Sequence, residues 1–314
     1  QVVERFHELG LRSVCTSAVT PIPALRAVKD EHEIAGFRRA MELDGVALVR
    51  FRRTLDEIIE KGEIAQETEL SIEQRLTAFR AEHPDFRGLS FGTIAGYGAH
   101  GAIVHYEADE SSNAPLAALS FLLLDSGAHY ISGTTDITRT LPLGPLTDEE
   151  RKVYTLVLKG HIALARARFP ERTQGLVLDF AARYAMWQEG MDFGHGTGHG
   201  VGSHLCVHEG PKQIRKNTNA ASTTHFVAGM TITDEQGIYV DGKFGVRLEN
   251  VLLTRESLQT PFGKFLEFET LTLCPFYTTP IVMELLDETE RNWLNDYHQT
   301  VRVRLLPLLT DEKD

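Results

Sequence analysis

The sequence is poor in cysteine. Its 314 residues include three, Cys15, Cys206 and Cys274, which lie far apart and form no CxxC pair. This pattern argues against a disulfide framework or a zinc knuckle and favours a reducing compartment. Because Cys206 lies between Leu205 and Val207, we expect its thiol to act as a small buried apolar group.

The sequence also lacks a long apolar run, a recognisable signal peptide and an excess of positive charge. Lys and Arg total 32 against 44 Asp and Glu, and the formal net charge of −12 argues against a nucleic-acid partner. We therefore predict a cytoplasmic protein that binds neither nucleic acid nor membrane. Hydrophobic residues make up 42% of the chain, enough for a sizeable core.

The chain divides into two unequal parts. Residues 1–28 mix short apolar stretches with Pro21 and Pro23, which is typical of a linker or of the tail of a preceding domain. Residues 29–314 are expected to form one folded domain. Since the first residue is Gln1 rather than Met, we expect the chain to belong to a longer protein.

Helical and strand-like patterns alternate along the chain, and the strand-like stretches indicate antiparallel pairs, so the predicted fold class is α+β. Helices are predicted over residues 30–61, 68–83, 147–169, 176–189 and 284–309. Strands are predicted over 89–95, 102–106, 121–125, 131–140, 230–235, 245–253 and 265–273. The last helix has an apolar face with Trp293, Leu294 and Tyr297, which fits either core packing or a dimer surface.

The most unusual stretch is residues 194–211, GHGTGHGVGSHLCVHEGP, which contains four histidines, six glycines and one glutamate. Glycine at this density allows the backbone to approach another group closely. Histidine at this density indicates metal ligation or proton transfer more often than packing.

Carboxylates that could complete a metal site flank this stretch. Asp125 ends a short apolar run, and Asp136 follows eleven positions later across a predicted hairpin, so both can share one face. Glu235 and Glu249 lie fourteen positions apart on two predicted strands, and His199 offers an imidazole. This oxygen-rich set suits Mn²⁺, Fe²⁺, Co²⁺ or Zn²⁺, and its four carboxylates balance two divalent cations.

At these residues the sequence resembles the catalytic domain of the aminopeptidase P (Xaa-Pro aminopeptidase) family of pita-bread metallopeptidases. The closing segment WLNDYHQTVR (293–302) resembles the last helix of the cytosolic three-domain type. One departure is Gln236, which stands where proline is common. The matching segments are GAIVHY (101–106), LDSGAHYISGTTDITRT (124–140), GHGTGHGVG with VHEGP (194–211), TDEQGIYVDGKFGVRLENV (233–251) and FETLTLCPF (268–276).

The resemblance implies a pita-bread fold, with two pseudo-symmetric halves of antiparallel strands covered by helices, and makes 29–314 the catalytic domain. It implies two divalent metal ions, most often manganese, with Asp136 and Glu249 bridging them. It also implies that Arg247 holds a metal ligand in place. The implied metal ligands are Asp125, Asp136, His199, Glu235 and Glu249.

The reaction implied by the resemblance is hydrolysis, by metal-activated water, of the bond between an N-terminal residue and a following proline. Glu235 would accept the proton of the water, and His208 would stabilise the tetrahedral oxyanion. His195 or His105 would position the peptide or help the proline nitrogen to leave. The implied substrates are peptides with proline in second position, and the implied assembly is a homodimer.

Other activities remain open at this point. A Xaa-Pro dipeptidase or a methionine aminopeptidase would use the same fold and metals. A non-catalytic pita-bread binding module would be expected to have lost ligands, and all five are present in this chain.

Overall fold

The computed structural model describes residues 2–10 and 20–309; Cys15 and part of the predicted linker 1–28 lie outside the described residues. None of the helices within these ranges is both long and apolar enough to cross a membrane. The helices are α1 (Val2–Glu8), α2 (Ile22–Ala27), α3 (Glu31–Glu60), α4 (Glu69–Ala81), α5 (Asp148–Ala165), α6 (Gly175–Gln188) and α7 (Glu288–Leu305). The strands are β1 (Phe86–Leu89), β2 (Ile94–Tyr97), β3 (Phe121–Ser126), β4 (Ala128–Tyr130), β5 (Gly133–Thr134), β6 (Ile137–Pro142), β7 (Arg168–Pro170), β8 (Gly198–Gly200), β9 (Glu209–Ile214), β10 (Thr231–Val240), β11 (Phe244–Thr260) and β12 (Gly263–Thr270).

The strands form four sheets, and every pairing between named strands in the described ranges is antiparallel. The strand orders are β10-β11-β12-β7, β2-β3-β6, β1-β4-β5 and β8-β9. Helix α5 packs against both β10 and β11. The predicted α+β class is confirmed.

Side-chain caps determine where helices α3 and α5 begin. Asp30 accepts a hydrogen bond from the backbone N–H of Glu33, whose side chain accepts from the backbone N–H of Asp30. Thr147 and Glu150 form the same reciprocal pair at the start of α5. Each pair satisfies N–H groups that the first helical turn leaves without partners, so both predicted starts are confirmed.

The last helix starts later than the predicted range 284–309. Asp287 accepts a hydrogen bond from the backbone N–H of Glu290 and so caps α7 at Glu288, after a short 3₁₀ turn. Leu294 and Tyr297 are buried in the largest core cluster, and the Trp293 ring stacks on Tyr297 with centroids 5.4 Å apart. This apolar face therefore forms part of the core.

Two predicted strands near residue 100 are wrong. The range 89–95 is divided between β1 and β2, which belong to different sheets, and 102–106 follows a 3₁₀ turn (Gly98–Ala102) instead of forming a strand. The physical reason is the buried carboxylate of Glu69, which accepts hydrogen bonds from the backbone N–H of Tyr97 and the hydroxyl of Tyr106. These bonds fold the segment into a compact loop.

Side chains of β6 and β11 join the sheet β2-β3-β6 to the sheet β10-β11-β12-β7. The hydroxyl of Thr140 donates to the carbonyl oxygen of Arg247 at 2.9 Å and accepts from its N–H at 3.1 Å. The guanidinium of Arg139 donates to the carbonyl oxygen of Glu249 at 2.7 Å. These bonds place β3 and β6 beside β10 and β11, and the candidate site lies at this junction.

Candidate metal centre

Strand register brings the predicted carboxylates together. Glu235 pairs directly with Glu249 across β10 and β11. Asp125 pairs with Thr138 across β3 and β6, and Asp136 directly precedes β6. Because directly opposed side chains have Cβ atoms about 5 Å apart, each pairing presents its carboxylate at the junction of the sheets.

His199 on β8 is oriented by its backbone neighbours. Its N–H donates to the hydroxyl of Thr233 at 3.0 Å, and its Nδ1 lies 3.1 Å from the carbonyl oxygen of Gly200. Because a carbonyl oxygen can only accept, Nδ1 carries the proton and Nε2 has a free lone pair. That Nε2 lies 3.4 Å from Oδ2 of Asp136 and 3.7 Å from Oε1 of Glu235.

The donor atoms fit divalent cations. One ligand atom each from Asp136, His199 and Glu249 lies within 4.8 Å of the other two. Oδ1 of Asp125 is buried and has no hydrogen-bond partner in the described ranges. A buried carboxylate oxygen without a donor is costly, and a bound cation satisfies it.

The electrostatics of the four carboxylates also favour bound cations. Burial and repulsion from Asp125 raise the pKa of Glu235 to about 8. Burial and neighbouring carboxylates raise the pKa of Asp136 and of Glu249 well above the ordinary range. Divalent cations remove this repulsion, so metal binding and ionisation of the cluster are linked. Burial lowers the pKa of His199 to about 4, which keeps its imidazole neutral, as a ligand must be.

Arg247 connects two of the acidic residues. Its Nη2 donates to Oδ2 of Asp125 at 2.7 Å, and its Nη1 donates to the hydroxyl of Tyr239 at 2.8 Å. Its Nε lies 3.3 Å from the hydroxyl of Thr138, which donates to Oε2 of Glu249 at 2.8 Å. Arg247 therefore orients Asp125 directly and Glu249 through Thr138.

His195 lies beside the cluster with both ring nitrogens engaged. Its Nδ1 lies 2.7 Å from the carbonyl oxygen of Gly196, and its Nε2 lies 2.8 Å from the hydroxyl of Tyr239. Nδ1 is therefore the donor, and Nε2 accepts from Tyr239. Burial lowers the pKa of His195 to about 4, so the ring is neutral near pH 7.

His105 and His208 differ from His195 because both are exposed. The ring of His208 lies next to that of His199, with centroids 4.3 Å apart. Burial lowers the pKa of His208. Neither ring has a hydrogen-bond partner in the part of the chain that the structure describes, so their nitrogens are available to a ligand in the cavity.

The loop that carries His105 is held by Glu69, which the sequence interpretation missed. This buried carboxylate accepts hydrogen bonds at 2.8–2.9 Å from the backbone N–H groups of Tyr97 and Ala114 and from the side chains of His100 and Tyr106. A glutamate in a first helical turn is ordinary, so no local signal distinguished it. Tyr239 was also missed, although strand alternation from Glu235 places it on the same face of β10.

All the predicted site residues line one cavity of about 380 Å³, with Phe91, Ile94 and Val104 among its apolar lining residues. The predicted residues on this lining are His105, Asp125, Asp136, His195, His199, His208, Glu235, Arg247 and Glu249.

One expectation in the Gly/His stretch is wrong. Cys206 is exposed, whereas Cys274 is buried. The backbone at Leu205 and Cys206 adopts positive φ angles of 62° and 55°, and this left-handed turn replaces the extended geometry that would have packed the thiol inward.

Comparison with known proteins agrees with this geometry. Residues 35–256 match metallopeptidase family M24, and residues 264–314 match the C-terminal region of peptidase M24. The chain is 45% identical over 294 residues to "Probable Xaa-Pro aminopeptidase P" of Laccaria bicolor, which covers 92% of this chain and 45% of that protein. It is 43% identical over 293 residues to "Xaa-Pro aminopeptidase 1" of Dictyostelium discoideum, covering 93% of this chain and 46% of that protein.

Among solved structures, the chain is similar to an X-prolyl aminopeptidase from Caenorhabditis elegans, described as a cytosolic enzyme with a di-nuclear active site. The TM-score is 0.88 at 39% identity, covering 94% of this chain and 47% of that one. The predicted pita-bread fold is therefore confirmed. The chain spans about half the length of the curated relatives that it matches.

Proposed function

The chain belongs to metallopeptidase family M24, and on that premise we propose that it is a dinuclear-metal aminopeptidase that hydrolyses the N-terminal Xaa-Pro bond of peptides. The observation that carries the proposal is the convergence of Asp136, His199 and Glu249 within 4.8 Å in a cavity that also contains unpartnered histidine nitrogens. Residues 29–314 are proposed as the catalytic domain. The substrate is a peptide with proline in second position.

We assign the metal ligands to Asp125, Asp136, His199, Glu235 and Glu249, which would hold the two ions between them. The proposed ions are two Mn²⁺, with Zn²⁺, Co²⁺ or Fe²⁺ as alternatives, because an oxygen-rich set with one imidazole accepts all four. When bound, two such ions make water nucleophilic near neutral pH and polarise the scissile carbonyl.

The protein's own groups have separate roles in this reaction. The carboxylate of Glu235, which lines the cavity, accepts the proton of the attacking water. His208 donates a hydrogen bond to the oxyanion from a ring nitrogen that has no other described partner. His105, also unpartnered, assists the departing proline nitrogen. His195 positions the peptide through contact with its ring, because both of its nitrogens are engaged within the protein.

The preference for proline follows from two features of the cavity. The scissile nitrogen of a Xaa-Pro bond carries no N–H, so it requires no acceptor from the protein. Phe91, Ile94 and Val104 provide apolar surface on which the pyrrolidine ring packs. The acidic ligands favour a free, positively charged N-terminus nearby.

The proposed assembly is a cytoplasmic homodimer that binds neither nucleic acid nor membrane. Val177, Phe180, Tyr184 and Trp187 are between 39% and 64% exposed and recur every three or four residues on α6. A continuous apolar stripe of this kind is typical of a contact surface, and a two-fold symmetric dimer would bury it on both copies. Light scattering should give a dimer for the wild type and a monomer for Tyr184→Glu, with unchanged far-UV circular dichroism.

The test of the activity combines metal content with hydrolysis. About two metals per chain after dialysis, and Mn²⁺-dependent release of arginine from Arg-Pro-Pro, are expected; Asp136→Asn should lose both. Faster cleavage of Xaa-Pro dipeptides than of longer peptides would identify a dipeptidase instead. Release of methionine from Met-Ala peptides would identify a methionine aminopeptidase, and metal-independent peptide binding without hydrolysis a non-catalytic module.

A further inference from the structure

Three cationic side chains line the cavity, and two of them are paired with carboxylates. Arg247 lies 2.7 Å from Asp125, and Lys212 lies 3.5 Å from Glu209. Arg215 has no carboxylate oxygen within 4 Å anywhere in the described ranges, and its buried Nε has no hydrogen-bond partner there. Arg215 is therefore the lining cation whose charge no described carboxylate balances.

Strand register fixes where Arg215 lies along the cavity. Gln213 on β9 pairs directly with the metal-ligand candidate His199 on β8. Gln213 and Arg215 both line the cavity together with His199, and Arg215 directly follows Ile214, the last residue of β9. A two-residue step of extended chain is about 6.8 Å. The backbone of Arg215 thus lies one such step beyond Gln213, the residue opposite His199.

The only described polar contact of the guanidinium is weak. Its Nη1 lies 3.5 Å from Oε1 of Gln213, a distance at the limit for a hydrogen bond. Arg215 is partly exposed, so a ligand in the cavity can reach it. A guanidinium presents a planar fork of donors that matches a carboxylate, and such charge-assisted pairs are the stronger hydrogen bonds.

We propose that Arg215 binds a carboxylate of the peptide on the carboxyl-terminal side of the scissile bond. The proposal rests on the proposed function and specifies its substrate class. In an extended Xaa-Pro-Xaa peptide, the terminal carboxylate carbon lies about 7 Å from the scissile carbonyl carbon, two residues away. That span matches the backbone step from Gln213, which lies opposite His199, to Arg215. The carboxylate is supplied either by the C-terminus of a tripeptide or by an acidic third residue.

The expected preference for a carboxylate is about 10- to 100-fold in kcat/KM, the range for a hydrogen bond to a charged group. Because the carboxylate is remote from the reacting atoms, it binds equally in the ground state and the transition state. The preference should therefore appear mainly in KM. It should decrease as salt is added, since Arg215 is partly exposed.

The experiment compares four peptides with the 314-residue chain loaded with Mn²⁺: Ala-Pro-Ala as free acid, Ala-Pro-Ala amide, Ala-Pro-Asp amide and Ala-Pro-Asn amide. The variant is Arg215→Gln, and the control is Arg166→Gln, an exposed arginine at the end of α5 that does not line the cavity. We expect the wild type and the control to prefer acid to amide, or Asp to Asn, by at least tenfold. In Arg215→Gln the ratio should approach one.

Binding of the leaving product Pro-Ala, as acid and as amide, is measured by calorimetry and requires no turnover. An acid preference that Arg215→Gln abolishes supports the subsite, whether or not the wild type hydrolyses Xaa-Pro peptides. Failure of the wild type to hydrolyse them counts against the proposed function alone. The inference is overturned if the wild type prefers neither acid to amide nor the Asp amide to the Asn amide, or if the preference survives in Arg215→Gln. The two amide substrates show whether the third side chain or the C-terminus supplies the carboxylate.

Discussion

Arg247 and Asp125 form an ion pair of 2.7 Å that determines which carboxylate oxygen faces the cavity. Oδ2 of Asp125 accepts from Nη2 of Arg247, while Oδ1 is buried without a described hydrogen-bond partner. The guanidinium thus uses one oxygen and leaves the other for a cation. A residue outside the proposed ligand set therefore controls the geometry of a proposed ligand.

Replacing Arg247 should weaken metal binding and leave the secondary structure unchanged. Arg247→Lys cannot reproduce the contacts with Asp125, Tyr239 and Thr138 together, because an ammonium lacks the planar fork. We expect metal affinity to fall about 10- to 100-fold. Competition with a chelator measures the affinity, and Lys243→Arg, which changes an exposed pair with Glu149, is the matched control. Unchanged affinity would contradict the orienting role of Arg247.

Glu69 should act on catalysis through the loop that carries His105. In Glu69→Gln one of the two acceptor oxygens becomes a donor amide, so two of the loop's hydrogen bonds are lost. We expect kcat/KM to fall about tenfold, with unchanged metal content. In a double-mutant cycle with His105→Ala, the two effects should be far from additive. Additive effects would show that Glu69 does not act through His105.

Tyr239 should hold the ring of His195 in its orientation. Tyr239→Phe removes the donor to Nε2 of His195 and the acceptor for Nη1 of Arg247, both at 2.8 Å. Leaving two buried polar atoms unpaired should cost about 1–3 kcal/mol each. We expect a lower unfolding temperature together with at least a tenfold loss of kcat/KM. A normal rate in a destabilised variant would assign Tyr239 to stability alone.

The metal-free protein should lose stability as the pH rises from 6.5 to 8. The pKa of Glu235 is raised to about 8 in the folded state, so this carboxyl holds a proton that the unfolded chain has already released. The folded state then binds more protons, and its stability falls as the pH approaches 8, by up to about 1.4 kcal/mol per pH unit for each proton. The lowered pKa values of His195 and His199, about 4, act below pH 6.5 and in the opposite direction. Burial lowers the pKa of Lys212 to about 7, and this group opposes the decline above pH 7.

Thermal unfolding of chelator-treated protein across this pH window checks the prediction. Glu235→Gln has no ionisable group at this position and should show a smaller slope. Added Mn²⁺ should remove the decline, because bound cations favour the ionised carboxylates. A Glu235→Gln variant whose stability falls with pH as steeply as that of the metal-free wild type would contradict the assigned direction.

The predictions from sequence succeeded where a local pattern causes the structure. Helix starts at Asp30 and Thr147 follow from capping chemistry within four residues. The antiparallel pairing that places Asp125 near Asp136 was also predicted, although β4 and β5, which belong to another sheet, lie between the paired strands β3 and β6. The failures have non-local causes: Glu69 reorganises the segment around residue 100 from a distant helix, and a left-handed turn exposes Cys206.

The sequence alone determined the α+β class, the capped helices and the set of residues able to hold metal, because periodicity, capping and ligand chemistry are properties of short segments. Tertiary structure decided how those residues act. Both nitrogens of His195 are engaged, burial shifts the carboxylate pKa values, and no described carboxylate lies beside Arg215. Each of these features depends on groups far apart in the chain. The distances between these groups, their burial and their hydrogen-bond partners are set only when the sheets pack together in the folded protein.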